Sequence, residues 1–475
     1  MTTRISTGTE GLDALLGGGF PKGSIVLVTG NPGSGKTIFS TQFLYKGAMI
    51  RRERGVYVSF AEAKHEFVGN AKSVGFDLDT LCKKGLFKIV DCVSMTESGI
   101  SEMLGDVVQS VADFNPQRLV IDPISAILQG LSRAETRSLL HNVFGKIIKR
   151  HQITTLLVGE IPYGDDHTEF GIEEFVVDGV ITLGRSQDNF RTLDVRKMRG
   201  TRLSDSNAFF TLNNGLQIIR PPVTSRPVKT ESWKTIQDAK GRFSTGSHDL
   251  DALIDGGYPE GRYVLLETDA NVPIDVVNLF VLPLSWNFLS QGRGVLFLPV
   301  LGADGEEIKK LLTEHVRSEV FVKQVRVFEQ AKEGRDQTAP YLIVGGNPDD
   351  PLQRIEELLN KTSLKLRKDT GQPVLRIIGY PALESLYAGQ IDLLFKEIGS
   401  EIAVNRSLGN LTLAVARPGL QITPRVMNIV DWHIRLIERN GCIFCHVVKP
   451  KPTPYAAVER AMSKGYQTLR LIPMV

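Results

Sequence analysis

The feature that most constrains this chain is an internal repeat. Residues 6–28 read STGTEGLDALLGGGFPKGSIVLV, and the frame returns 238 positions later as STGSHDLDALIDGGYPEGRYVLL (244–266), with 13 identities in 23 aligned positions. That spacing is too long for a solenoid unit and implies a duplicated domain. A second match, VVDGVITL (176–183) with IVDWHIRL (429–436), falls near the end of each copy. Between the copies, residues 220–242 are polar, basic and contain three prolines, the composition of an exposed linker. The expected organisation is therefore a domain over 1–220, a linker over 221–242 and a second domain over 243–475. With 42% hydrophobic and 23% charged residues, both halves can bury a sizeable core.

Within the first copy, β-branched runs alternate with stretches of helical spacing. IVLVT (25–29), VYVSF (56–60), RLVID (118–122) and TTLLVG (154–159) read as buried strands, and segments near 36–52, 98–114 and 134–150 as amphipathic helices. This alternation predicts an α/β fold with a mainly parallel sheet flanked by helices. Ligands on such sheets bind at the carboxyl ends of the strands.

The sharpest motif falls at one of those ends. Gly30, Asn31, Pro32, Gly33, Ser34, Gly35, Lys36 and Thr37 satisfy G-x-x-x-x-G-K-[ST] after a strand and before a helix. Small residues let successive N–H groups curl around a triphosphate, and the helix N-terminus adds unpaired donors. Lys36 is expected to reach the β- and γ-phosphates, and Thr37 to ligate Mg²⁺. Asp122, closing an apolar run, suits the Walker B role of organising that metal. Glu62, just past VYVSF, suits a general base acting on water in line with the γ-phosphate. ATP and Mg²⁺ are the implied cofactors.

Together, STGxxxLDxLLGGGxPKGS, GNPGSGKT, YVSFAE, RLVID and KMRG resemble the KaiC-like branch of the RecA/RadA superfamily, and the duplication resembles its double-domain members. The resemblance implies two tandem RecA-like P-loop NTPase domains, ATP bound between subunits, and a homo-oligomer, commonly a hexameric ring. It also implies that Lys197 and Arg199, in Lys-Met-Arg, reach a neighbouring subunit's ATP, where cations would stabilise developing charge. Two departures stand out. The family often places paired glutamates where this chain has Ala61-Glu62. The segment Gly171-Ile172-Glu173-Glu174-Phe175 offers no hydroxyl for autophosphorylation, which favours hydrolysis.

The second copy keeps the frame and loses the motif. TGNPGSGKT (29–37) faces ETDANVPID (267–275) without one identity, so Lys36 faces Ile274 and Thr37 faces Asp275. Glu267, Asp269 and Asp275 would repel phosphate, and the Walker B counterpart near 376–381 has no Asp. A domain without ordinary Mg·ATP binding is expected, serving assembly or partner reading. Cys442-Ile443-Phe444-Cys445-His446 spells C-x-x-C-H, yet cysteines three apart on a strand face opposite ways. They are expected to be structural, not haem or zinc ligands.

A net charge of +3 argues against a nucleic-acid coat or polybasic membrane binder. No stretch of about 18 apolar residues is present, and MTTRISTGTEGLDALLGGGF has no signal-peptide core, so a cytoplasmic address without membrane contact is expected. The leading expectation is an ATP-hydrolysing regulatory protein, with a regulatory protein partner. The alternatives are a protein kinase and a RadA-like DNA-binding recombination accessory, the latter disfavoured by the lack of a clear DNA-binding motif.

Overall fold

The computed structural model describes residues 3–475, apart from 94–99, 129–150, 162–176, 204–205, 223–230, 300–302, 331–338, 346–350, 388 and 464–465. The expected helix at 134–150 and the hydroxyl-free segment 171–175 lie outside the described residues. The chain divides into two compact units, Met1–Arg220 with Met474–Val475, and Pro221–Pro473.

The large sheet of the first unit has nine strands among the described residues: β1 (Ile25–Gly30), β2 (Gly55–Ser59), β3 (Phe87–Asp91), β4 (Arg118–Asp122), β5 (Thr154–Glu160), β6 (Gly179–Arg185), β7 (Arg191–Met198), β8 (Asn207–Thr211) and β9 (Gln217–Ile218). Their order across the sheet is β9-β8-β7-β6-β1-β5-β4-β2-β3. The β6-β1-β5-β4-β2-β3 block is parallel, and β7, β8 and β9 continue it antiparallel. All six residues of β1 are buried, as befits a strand covered on both faces.

The large sheet of the second unit has ten among the described residues: β10 (Tyr263–Thr268), β11 (Gly294–Leu298), β12 (Val325–Gln330), β13 (Leu342–Gly345), β14 (Val374–Gly379), β15 (Leu411–Ala416), β16 (Trp432–Arg439), β17 (Cys442–Lys449), β18 (Ala456–Ser463) and β19 (Tyr466–Pro473). The order β19-β18-β17-β16-β10-β15-β14-β11-β12-β13 repeats the first sheet strand for strand and adds one edge strand, β13. The fold is thus α/β, with tandem RecA-like sheets flanked by helices.

The repeated residues encode one local frame twice. Ser6 and Thr7 hydroxyls donate to Asp13 at 2.6 Å each, and Ser244 and Thr245 donate to Asp251 at 2.5 and 2.7 Å. Arg4 donates to the Leu16 and Gly19 carbonyls, and Arg242 to those of Ile254 and Gly257. Asp178 Oδ2 accepts from the Ile25 amide at 3.0 Å, as Asp431 Oδ2 does from Tyr263 at 3.1 Å. The second short match therefore anchors the start of the central strand in each copy.

Two segments carry detail beyond the sequence pattern. The helical stretch expected near 36–52 is α1 (Lys36–Lys46) continued by a π-helical turn at Gly47–Arg51. Arg118 is the cause. Its buried guanidinium takes the Phe43 carbonyl at 2.7 Å and pairs with Glu53, and a Cβ on Gly47 would sit 2.2 Å from its Nε. Part of the segment expected as a linker is packed. Trp233 is 8% exposed and packs on Trp286 and Tyr466, while Asn287 bonds the Ile236 amide and carbonyl. An indole outweighs the surrounding polar residues and folds 231–239 onto the second unit.

Candidate functional site

Strand β1 delivers the loop 30–37 to the carboxyl edge of the first sheet. At Gly30 a side chain is impossible, because a Cβ would lie 2.3 Å from the Leu183 carbonyl oxygen. Gly35, with φ of 104°, makes the left-handed step that starts α1. Lys36 Nζ donates to the Gly30 and Asn31 carbonyls at 2.8 and 3.0 Å, so the ammonium lies across the loop. Burial lowers its pKa, against the opposing fields of Glu160 and Asp122.

Thr37 opens α1 and faces β4. Its hydroxyl donates to Asp122 Oδ2 at 2.9 Å, and the Tyr57 hydroxyl donates to the same oxygen at 2.5 Å. Burial pushes the Asp122 carboxyl upward, while these two bonds pull it back. Burial also raises the Tyr57 phenol, with Asp122 adding to the effect, so it remains a donor. Glu62 sits on the turn after β2, which Ser59 shapes: its hydroxyl donates to the Glu62 carbonyl at 2.6 Å and accepts from the Glu62 amide at 3.2 Å. Asn70 donates to Glu62 Oε2 at 3.3 Å.

Lys36, Thr37, Tyr57, Glu62, Asp122, Glu160 and Arg191 line one cleft of about 500 Å³. A hydroxyl and a half-buried carboxylate 2.9 Å apart beside that cleft form the oxygen-donor pair that suits Mg²⁺, a cation that keeps several waters and takes few protein ligands. The residues fit the metal.

Lys197 and Arg199 are not brought to this cleft. Register pairs Lys197 with Val180 and Val180 with Leu27, three residues before Gly30, so Lys197 lies about 10 Å back along the sheet. Arg199, its side chain 57% exposed, is 3.5 Å from Asp178. Both therefore stand toward the amino end of their own sheet.

Three residues at the cleft escaped the sequence reading. Glu160 ends an apolar strand just as Asp122 does, one residue beyond the expected boundary at 159, and that shared signal could have found it. Arg191 donates to the Gly33 carbonyl at 3.0 Å from the start of β7. Tyr57 was hidden inside a strand.

The second unit places different chemistry at the same edge. Counting register out from Leu27 and Leu265, Asp122 corresponds to Gly379, and Glu160 to Arg417. Arg417 donates to the Asp269 and Ala270 carbonyls, the Asp269 carboxylate lies 3.3 Å from Arg439, and Asp275 pairs with Arg460. The segment that replaces the phosphate loop is tied down by arginines. Cys442 and Cys445 are buried on β17, and burial pushes each thiol to about 12. The His446 ring packs on Tyr455. Among the described residues, no helix is long and apolar enough to cross a membrane.

Comparison with known proteins agrees with this geometry. A family model described as the KaiC ATPase matches residues 5–223, and one described as GvpD basic region 2 matches residues 232–341. The circadian clock oscillator protein KaiC of Thermostichus vulcanus is 30% identical over 276 residues, covering 55% of this chain and 51% of its own. The circadian clock protein KaiC2 of a Synechocystis strain is 31% identical over 281 residues, covering 55% of this chain and 47% of its own. The chain thus spans about half the length of the curated relatives it matches. A solved KaiC-like protein from Pyrococcus horikoshii is 35% identical, with 46% of this chain and all of that one covered at a TM-score of 0.42. On their motifs and this family model, residues 5–223 form a KaiC-like ATPase domain of the RecA superfamily.

Proposed function

We propose that the first domain binds Mg²⁺·ATP in the cleft at the carboxyl edge of its sheet and hydrolyses it, and that the second domain is a pseudo-ATPase that relays the nucleotide state to a regulatory protein partner. The observation that carries this reading is the alignment of Thr37 and Asp122 at 2.9 Å beside a complete phosphate loop. Thr37 and Asp122 would hold the metal, which would supply positive charge to the phosphates. Lys36 leaves the loop carbonyls for phosphate oxygens, exchanging two neutral acceptors for charged ones. Glu62, on its Ser59-braced turn, orients the attacking water and takes its proton. The backbone donors of Gly33 and Gly35 complete the phosphate cradle.

Lys197 and Arg199 serve a neighbouring copy in a homo-oligomeric ring, hexameric by resemblance to the family. Their support is position: Lys197 stands about 10 Å from its own loop along the sheet, Arg199 stands further back, and the Arg199 side chain is more than half exposed. ATP then lies at a subunit interface.

The test mixes variants. Lys36→Ala and Arg199→Ala chains should each lose phosphate release by about a hundredfold or more, as expected for a lost transition-state contact. Mixed together, they should regain a measurable fraction, because the Lys36→Ala chain can lend Arg199 to an intact loop. Turnover by Lys36→Ala alone at the parent rate would reject the site, and failure of the mixture to recover would reject action in trans.

A further inference from the structure

The cleft holds a contact that neither the motif nor the family comparison requires. Tyr57 is 1% exposed on β2, and its only polar side-chain atom donates to Asp122 Oδ2 at 2.5 Å. Thr37 donates to the same oxygen at 2.9 Å. The Tyr57 ring is fixed separately by packing on Phe67, with centroids 4.2 Å apart. Its backbone is fixed by pairing, since Ser59 stands opposite Asp122 and Tyr57 is two residues earlier on the same face.

We propose that Tyr57 is a positioning residue whose hydroxyl, with that of Thr37, pins Asp122 Oδ2 and so presents Oδ1 to the water shell of a divalent cation. The inference rests on the reading of Asp122 as the metal-organising carboxylate. Two hydroxyls on one oxygen restrict rotation of the carboxylate about its Cβ–Cγ bond, and one of those hydroxyls sits on a ring with almost no freedom of its own. Only the other hydroxyl belongs to a metal ligand. The phenol therefore holds the carboxylate whether or not the metal is present, and binding does not have to order it. Partners of this kind, one shell beyond the ligands, typically change metal affinity tenfold to a hundredfold.

The experiment uses the full chain, loaded with a non-hydrolysable ATP analogue and titrated with Mn²⁺ followed by electron paramagnetic resonance. Tyr57→Phe keeps every ring atom and the packing on Phe67. It should raise the Mn²⁺ dissociation constant about tenfold or more, while metal-free binding of the analogue stays within about twofold. Turnover of the variant should recover at high Mg²⁺. Phe67→Leu loosens the ring and keeps the hydroxyl, so it should raise the Mn²⁺ dissociation constant by less than Tyr57→Phe does. A Tyr57→Phe affinity matching the parent would overturn the inference, and so would an equal loss in Phe67→Leu, which would assign the effect to packing. Asp122→Asn separates the two layers of argument. If it binds Mn²⁺ like the parent, the reading of Asp122 itself fails. If it loses Mn²⁺ while Tyr57→Phe does not, only the role of Tyr57 fails.

Discussion

Glu62 sits one residue past an alanine, without a second carboxylate beside it, so the proposed proton transfer depends on a single side chain. Its support is local: Ser59 braces the backbone and Asn70 holds one carboxylate oxygen. Glu62→Gln keeps the shape and the Asn70 contact and removes the basicity. It should lower kcat by about 10²–10⁴-fold and leave ATP affinity within about twofold, measured by phosphate release and equilibrium binding. An equal loss in affinity would mean that Glu62 binds nucleotide instead. Residues such as Lys36 and Thr37 were legible in the chain because phosphate chemistry fixes their spacing on one loop. Tyr57 was not, because its meaning comes from Asp122, 65 positions away and brought alongside only by strand pairing.

At the level of elements, the duplication separates frame from site. The Ser-Thr-Gly turn, the Asp that receives its hydroxyls and the Arg that ties down the following carbonyls recur in both copies, since each start of a sheet needs them. The loop after the central strand had no such structural duty and diverged. In the second copy its flanks are held by ion pairs and by Glu267, whose Oε2 lies 2.8 Å from His433 Nε2. That hydrogen bond is the main reason the Glu267 carboxyl is held below its ordinary value of 4.5. A carboxyl depressed on folding stabilises the fold above its unfolded pKa and loses that contribution as pH falls through the lowered value. The thermal midpoint of Glu267→Gln should therefore lie below the parent's at about pH 7 and converge with it as pH falls below the lowered value. A gap unchanged across that range would show that the contact contributes no such linkage.

Over the whole molecule, two sheets of the same strand order differ in what their carboxyl edges offer. The first presents a glycine loop with Lys36, Thr37 and Asp122. The second presents Asp269, Asp275 and a set of arginines, with Gly379 at the register position of Asp122. Equilibrium dialysis of the full chain with a labelled ATP analogue and Mg²⁺ should saturate at one nucleotide per chain, and Lys36→Ala should weaken that single site strongly. Two sites per chain would refute a pseudo-ATPase second domain. The sequence alone was enough for the duplication, the α/β class and the phosphate loop, because these depend on local spacing: apolar runs, glycine positions and a repeated turn. Strand neighbours were decided by the tertiary structure, and with them the hydroxyl on Asp122, the placement of Glu160 and Arg191 at the cleft and the distance of Lys197 and Arg199 from it. Pairing between strands far apart in the chain sets those contacts, and no local pattern records which strands will lie side by side.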